Sequence, residues 1–309
     1  MESRGGISHR YSVLSGDDAA LNFGSFYMTG KQPGTGARMR RYADSAPDLA
    51  MKAISDLPST DGVTHIVIAS CTGFIAPGLD QLIARRLGLA VDVERVSIGF
   101  MGCYAGVTLL RTAGHIVRSQ PTAKVLAVSV ELCSLHLQET DDIEILLAMG
   151  QFADGAAAAI VSAQGDGLAL GEGVSLALEE SDKLITWTIG DNGFAMHLSG
   201  EVPGRLADAL DNDATRKTIM GENPPIAWAV HPGGRSVLDA VERGLPLASN
   251  ALDASRSVLD QFGNMSSATV LFVLERLARE RPQSGIALAF GPGLAMEGLR
   301  FGWVDGDAV

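Results

Sequence analysis

The sequence predicts an α/β fold made of two similar halves, and the first observation behind this is the alternation of element types. Buried strands are predicted at "HIVIASCTG" (65–73), "KVLAVSVEL" (124–132) and "GAAAAIVS" (155–162). Helical stretches lie between the first two strands, at 78–88 and 103–118. Strands that alternate with helices are typical of a largely parallel sheet with both faces covered.

The second observation is that this pattern returns later in the chain. Three elements reappear in the same order: the strand "IAWAVHPGG" (226–234), the helix "FGNMSSATVLFVLERL" (262–277) and the strand "GIALAFGPG" (285–293). The two strands begin 161 residues after their counterparts. A repeat at one offset indicates two copies of one unit. We therefore expect two pseudo-symmetric halves, 1–165 and 166–309.

Composition and charge limit the class of protein. The chain has 309 residues, 46% of them hydrophobic, and a formal net charge of −12. This length supports a large core, and the charge argues against binding nucleic acid or an anionic membrane. No apolar run is long enough for membrane insertion, and the start has no signal-peptide pattern. Three cysteines without metal-ligand spacing predict free thiols, no metal site and a cytoplasmic location.

The negative charge is unevenly distributed along the chain. Residues 1–60 contain seven Lys or Arg against six Asp or Glu, so the remaining residues carry about −13. Two interpretations stay open for the basic residues of this segment, among them Arg10. They form a solvated face, or they form a local mouth for an anionic ligand.

Four polar residues occupy matched places in the two halves. Cys71 and His231 end matched strands, and Cys103 and Asn264 begin matched helices. Ligands of α/β units gather at the carboxyl ends of strands and the amino ends of helices. We therefore expect these four side chains to converge.

Cys103, His231 and Asn264 have the chemistry of a nucleophilic site. A helix amino terminus and a neighbouring imidazole would both lower the pKa of the Cys103 thiol. Asn264 is a neutral donor suited to hold a developing oxyanion. Taken singly, each residue also fits a structural role, as a buried thiol, a turn residue and a helix cap. Their combination at matched positions favours catalysis.

Four ordered motifs resemble those of the type III polyketide synthases, the chalcone-synthase-like enzymes: "GFMGCYAG", "VHPGG", "GNMSSATV" and "FGPGLAMEG". The resemblance extends over residues 7–303. It implies a thiolase-like, five-layered αβαβα fold and a homodimer. It also implies acyl-CoA and malonyl-CoA as substrates, with no cofactor beyond these coenzyme A thioesters.

The resemblance also assigns roles to residues. Cys103 would carry the acyl chain, while His231 and Asn264 would stabilise the enolate formed when malonyl-CoA loses CO2. The product would be cyclised to an alkylpyrone or an alkylresorcinol. The positions that this resemblance implies for substrate binding are Arg10, Cys71, Ala76, Cys133, His136, Phe152, Met196, Ser266, Gly291, Pro292 and Gly293.

Several of these positions depart from the plant enzymes. Met196 stands where chalcone synthases have a gating phenylalanine, and Cys71, Cys133 and His136 stand where they have threonines. Ala76 replaces a methionine, a change that resembles bacterial relatives with a tunnel for a fatty acyl chain. We therefore expect a medium- to long-chain fatty acyl-CoA starter.

The family also has a longer amino-terminal segment, which includes the first strand of the first half. The counterpart of that strand is "LALGEGVSLAL" (168–178), and the first strand itself would lie at the centre of its sheet. The amino-terminal half is therefore expected to be truncated at its start. Two alternatives remain open: a ketoacyl synthase III-like enzyme of fatty-acid initiation, and an inactive or truncated homologue.

Overall fold

The computed structural model describes residues 5–16, 25–28 and 30–306. The strands of this part are β1 (His65–Ser70), β2 (Glu94–Gly99), β3 (Val125–Leu132), β4 (Asp154–Val161), β5 (Gly167–Leu176), β6 (Ile185–Gly190), β7 (Gly193–Leu198), β8 (Ala227–Val230), β9 (Gly285–Gly291) and β10 (Ala295–Val304). Its helices are α1 (Thr35–Ser55), α2 (Leu79–Leu87), α3 (Ala105–Ser119), α4 (Ile143–Met149), α5 (Val202–Asp211), α6 (Asp213–Met220), α7 (Arg235–Gly244), α8 (Asp253–Phe262) and α9 (Thr269–Ala278).

Two four-stranded sheets form the frame. The first has the order β2-β1-β3-β4, in which β1, β2 and β3 are parallel and β4 is antiparallel to β3. The second has the order β5-β10-β9-β8, in which β8 and β9 are parallel and β10 is antiparallel to both of its neighbours. Strands β6 and β7 form a separate hairpin.

The side chains of the strands alternate between two kinds of surroundings. On the faces toward α3 and α9 they are mostly small, as at Ala127 on β3 and Ala287 on β9. On the outer faces they are larger, with Leu126 packed among residues of α1 and α2, and Leu288 among residues of α5, α7 and α8. Successive side chains of a strand point to opposite faces, so each sheet is covered on both sides. The result is five layers, helix–sheet–helix–sheet–helix, as expected.

The predicted repeat is visible in the two sheets. Strands β1 and β3 correspond to β8 and β9, and helix α3 corresponds to α9. β5, which contains most of 168–178, is an edge strand, because β10 is its only partner in the part of the sheet that the structure describes. The segment 155–162 forms the strand β4, which is antiparallel to β3 at the edge of an otherwise parallel first sheet. The sequence pattern missed β2, whose side chains are mostly exposed and therefore lack an apolar run.

Among the described helices, none is both long enough and apolar enough to cross a lipid bilayer.

Candidate active site

The four matched polar residues converge as expected. Cys71 directly follows β1, and His231 directly follows β8. Cys103 lies in a single 3-10 turn, Gly102–Tyr104, that leads into α3, and Asn264 lies just before the corresponding turn ahead of α9. All four line one cavity of about 910 Å3.

Cys103 is presented by a tight backbone turn. The preceding residue, Gly102, has φ +74°, a conformation that favours glycine. A Cβ placed on Gly102 would lie 2.4 Å from Cδ of Pro292. The "GPG" segment that follows β9 is therefore packed directly against the turn that carries Cys103. This contact fixes one wall of the cavity relative to the thiol.

The Asn264 side chain is held in one orientation. Its Oδ1 accepts a hydrogen bond from the Ser266 N–H at 2.8 Å, and its Nδ2 donates to the Gly233 carbonyl at 3.0 Å. Its backbone pairs with the loop that carries Phe152, through Gln151 O at 2.9 Å and Ala153 N at 2.8 Å. The amide also hydrogen-bonds the Cys103 thiol, so it donates beside the reacting sulfur, where an oxyanion donor is required.

The predicted low pKa of the Cys103 thiol is wrong for the unliganded protein. Burial raises this pKa to about 12, and the charge of Glu131 acts in the same direction. Hydrogen bonds from Ser266 and Asn264 lower the pKa but do not compensate for the lost hydration. Cys103 is therefore a neutral thiol before substrate binds.

The His231 imidazole is available to exchange a proton with the substrate. It is 1% exposed, and neither ring nitrogen has a hydrogen-bond partner among the described residues. Burial lowers its pKa to about 3, so the imidazole is neutral. A neutral imidazole can take a proton from a thiol and return it later, which is the behaviour of a general base and acid.

A buried carboxylate that the sequence analysis did not single out lies beneath the thiols. Glu131, which is fully buried, accepts hydrogen bonds from Cys71 N at 2.9 Å, from Thr72 Oγ1 at 2.8 Å and from Ser267 Oγ. Burial raises its pKa to about 7. Glu131 thereby ties the end of β1 to the turn that follows Asn264. A charged residue inside the apolar run of β3 was the signal that could have identified it.

One side of the cavity is lined by aromatic rings. The His136 ring stacks on Phe194 at 4.2 Å between centroids, and Trp187 approaches both rings edge-on. The Trp187 indole N–H donates to the Cys71 carbonyl at 2.8 Å. Both His136 nitrogens are bonded, Nε2 to Thr72 O at 2.7 Å and Nδ1 to the Phe194 N–H at 3.0 Å. His136 therefore contributes shape to the cavity and has no free nitrogen.

Most of the predicted substrate-binding residues line this cavity: Arg10, Cys71, Cys133, His136, Phe152, Met196, Ser266, Gly291 and Pro292. Two predicted positions do not. Ala76 is exposed and lies outside the cavity lining, so within one chain it forms no part of a tunnel. Gly293 is turned away, and its carbonyl accepts a hydrogen bond from Ser181 Oγ at 2.7 Å.

Arg10 lies at an exposed edge of the cavity. Its Nη1 donates to the Phe152 carbonyl at 3.1 Å and lies 3.5 Å from the Met149 carbonyl. The neighbouring residue Tyr11 accepts from Asp154 N at 2.8 Å. Arg10 thus belongs to the mouth, and it also supports the loop that carries Phe152.

Comparison with known proteins identifies the family. Residues 37–165 match the N-terminal domain of chalcone and stilbene synthases, and residues 169–304 match the C-terminal domain. The chain is 33% identical over 273 residues to the alpha-pyrone synthesis polyketide synthase-like Pks18 of Mycobacterium tuberculosis, covering 83% of this chain and 69% of that protein. It is also 33% identical to the bisdemethoxycurcumin synthase of Oryza sativa subsp. japonica, covering 95% of this chain and 80% of the relative.

Solved structures agree with this assignment. PKS-I from the brown alga Ectocarpus siliculosus superposes with a TM-score of 0.88 at 29% identity, covering 98% of this chain and 87% of that one. The type III polyketide synthase domain of Steely1 from Dictyostelium gives 0.87 at 28% identity, with 98% and 88% covered. The chain therefore belongs to the chalcone and stilbene synthase family and is a type III polyketide synthase, a condensing acyltransferase.

Proposed function

We propose that the protein loads an aliphatic acyl-CoA on Cys103, extends it with malonyl-CoA and releases an alkylpyrone or alkylresorcinol. The observation that carries this proposal is the meeting of a thiol, an unpaired neutral imidazole and an oriented amide in one cavity. Each supplies one part of acyl transfer: a nucleophile, a proton acceptor and an oxyanion donor.

Loading starts with a proton transfer, because the resting thiol is neutral. The Cys103 proton moves to the free nitrogen of His231, and the thiolate attacks the carbonyl carbon of the acyl-CoA. The C–S bond to coenzyme A breaks, and the departing thiolate takes the proton back from the imidazolium. The products are a Cys103 thioester, free coenzyme A and a neutral His231.

Extension uses the same donors without the thiolate. When malonyl-CoA loses CO2, the electron pair of the broken C–C bond forms the enolate of acetyl-CoA. The enolate oxygen accepts hydrogen bonds from His231 and from the Nδ2 hydrogen of Asn264 that the Cys103 thiol accepts in the unliganded protein. The enolate carbon then attacks the Cys103 thioester, and the C–S bond to Cys103 breaks. The chain, now two carbons longer, is held as its coenzyme A thioester and can return to Cys103.

An aliphatic starter is supported by the composition of the cavity. Its volume of about 910 Å3 is large for a small-molecule site, and aliphatic residues line much of it, among them Leu198, Val202 and Leu206. Each methylene of a starter buried there contributes roughly 0.8 kcal/mol. Ala76 lies outside the cavity lining of one chain, so the starter proposal is argued from this lining instead. The name of the mycobacterial relative supports a pyrone product.

We also propose a homodimer that pairs through β2. This strand is an edge of the first sheet and is mostly exposed, with Val96 39% exposed and the adjacent Phe74 48% exposed. An exposed strand edge is a template for pairing with another strand, and a second copy of β2 can pair with it across a twofold axis. Light scattering should give twice the chain mass, and Val96→Lys should give the chain mass.

The experiment that tests the function is incubation with malonyl-CoA and acyl-CoAs of graded length, with product identification by mass spectrometry. Decanoyl-CoA should give alkylpyrones or alkylresorcinols, and Cys103→Ala should give none. A preference for malonyl-CoA or coumaroyl-CoA as starter would contradict the aliphatic assignment. Extension from a malonyl carrier protein in place of malonyl-CoA would contradict the substrate class.

A further inference from the structure

We propose that Arg38, which does not line the cavity, is a positioning residue that determines which products the enzyme releases. It does so by fixing one wall of the cavity, namely the segment 133–137 and the β6–β7 hairpin (185–198), which we call the product wall. This inference rests on the proposed function, because it concerns how the growing chain folds in the cavity.

The first observation is a buried cation whose hydrogen-bond partners among the described residues are all neutral. The Arg38 side chain is 0% exposed. Its Nε donates to the Pro33 carbonyl at 2.8 Å, and its Nη1 donates to the Tyr27 hydroxyl at 3.0 Å and to the carbonyls of Leu135 and Leu137 at 2.7 and 2.8 Å. No carboxylate is among these described partners. Burying a guanidinium without a counter-charge is costly, so Arg38 depends on its carbonyl partners. These hydrogen bonds in turn hold the backbone that carries the carbonyls.

Tyr27 also hydrogen-bonds the first part of the product wall, the segment 133–137. Its hydroxyl donates to the Ser134 carbonyl at 2.8 Å and accepts from the Leu137 N–H at 3.1 Å. The Arg38–Tyr27 pair therefore binds the backbone on both sides of His136. Backbone that is held at residues 134, 135 and 137 has little freedom to move the His136 side chain between them.

Arg38 and its helix also hold the second part of the wall. A Cβ on Gly193 would lie 2.6 Å from Cδ and 2.7 Å from Nε of Arg38, so the side chain packs flat against the hairpin turn. One turn earlier, Thr35 N donates to Asp191 O at 2.7 Å. Thr35 Oγ1 donates to Gly190 O and accepts from Gly193 N at 2.8 Å. The start of α1 thus binds the whole hairpin tip.

The two parts of the wall are also joined to each other. His136 Nδ1 accepts from the Phe194 N–H, and Gln138 Nε2 donates to the Asn192 carbonyl at 3.1 Å. Through these contacts the wall presents His136, Trp187 and Met196 to the cavity. The hydrogen bonds of Arg38 in the structure do not include Cys103, His231 or Asn264. Loosening the wall should therefore change how the chain folds without changing the chemistry at the thiol.

The test compares two outputs of the same enzyme. Arg38→Lys keeps the charge but cannot reach all of the carbonyls, and Arg38→Met removes the donors. With decanoyl-CoA and malonyl-CoA, each should change the ratio of short to long products by about fivefold or more, the scale of one lost buried hydrogen bond. CO2 release from malonyl-CoA should stay within about twofold of the wild-type rate. Arg40→Met, on the exposed side of the same helix, is the matched control and should alter neither.

Tyr27→Phe keeps the protein testable if Arg38→Met does not fold. It should shift the product ratio in the same direction, and the Arg38→Lys/Tyr27→Phe double variant should shift it less than the sum of the two. Hydrogen exchange should become faster in segments 133–137 and 185–198 in these variants but not in Arg40→Met.

Two results would overturn the proposal. One is an unchanged product ratio in Arg38→Lys and Tyr27→Phe despite faster exchange in the wall. The other is a fall in product formation and CO2 release by the same factor, which indicates a purely structural residue. A wild-type enzyme that makes no polyketide overturns the proposed function instead. In that case unchanged exchange in the two segments would overturn the positioning role separately.

Discussion

Two histidines line the same cavity in opposite surroundings. At His136 both ring nitrogens are bonded to backbone groups, and the ring is stacked on Phe194. At His231 neither nitrogen has a partner in the part of the chain that the structure describes. Burial keeps both rings neutral, lowering their pKa to about 4 and about 3. The difference separates a histidine built into a wall from one that is free to exchange a proton with the substrate.

The strongest way to break this comparison is to replace each histidine in turn. His231→Gln should lower CO2 release from malonyl-CoA by about 10²- to 10³-fold, as expected for the loss of a hydrogen-bond donor to the enolate oxygen. His136→Asn should change this rate only a few-fold, because His136 has no free nitrogen to offer. Initial rates of CO2 release measure both. Equal losses in the two variants would remove the distinction.

The second prediction tests the separate roles of Asn264 and Cys103 at the reaction centre. Asn264→Ala should lower decarboxylation by about 10²- to 10³-fold, as for other missing oxyanion donors. Cys103→Ala should still release CO2 while making no polyketide, because the enolate forms without the thiolate. Ser236→Ala, at an exposed position of the cavity rim, is the control and should keep the wild-type rate. Unimpaired decarboxylation in Asn264→Ala would exclude Asn264 from this role.

The third prediction concerns the free energy of unfolding, for which His136 should matter more than His231. His136→Phe leaves the Thr72 carbonyl and the Phe194 N–H without their partner, which should lower the free energy of unfolding by about 1–3 kcal/mol. His231→Gln breaks no hydrogen bond within the described residues and should lower it less. Urea denaturation of both variants at pH 7 measures this. A larger destabilisation from His231→Gln would show that its nitrogens are engaged in the folded protein.

The smallest expected effect is on pH dependence. Both histidines have a folded-state pKa below the ordinary 6.5, so the unfolded chain binds protons that the folded chain does not. Their stabilisation is complete above pH 6.5 and declines as the pH falls toward 4, by about 1.4 kcal/mol per pH unit for each ring. Glu131, whose pKa is raised from 4.5 to about 7, opposes this, since its contribution to stability falls as pH rises through that range.

Denaturation between pH 4.5 and 6.5 separates these contributions. His136→Phe should make stability less dependent on pH by about one proton, and Glu131→Gln should make it more dependent by about one proton. An unchanged slope in His136→Phe would show that another group carries the titration.

The reaction centre and the product wall also differ in how well they could be predicted from the sequence. Cys103, His231 and Asn264 could be found because strand ends and helix starts repeat at one offset, and because their motifs are local in the chain. The α/β fold with two similar halves follows from alternating apolar segments, and the five layers follow from the family resemblance. β2 was missed because an exposed edge strand has no apolar pattern.

The product wall could not be found in this way. Arg38 contacts Tyr27 and also Gly193, which is 155 residues away in the chain, and each of these residues looks ordinary in its local sequence. The pKa of Cys103 was also beyond local reasoning. A helix start suggests a low pKa, but burial and the charge of Glu131, a residue of β3, raise it. Ala76 was placed in the cavity by resemblance alone, and the fold leaves it exposed.

The most direct test of the account is to find where the acyl group becomes attached. After brief incubation with decanoyl-CoA alone, intact-protein mass spectrometry should show one acyl group per chain, and peptide mapping should locate it on Cys103. Cys71 and Cys133, buried thiols of the same cavity, should carry none, and His231→Gln should form the adduct more slowly by about 10²-fold or more. An adduct on Cys71 or Cys133, or equal rates of attachment in wild type and His231→Gln, would contradict the account.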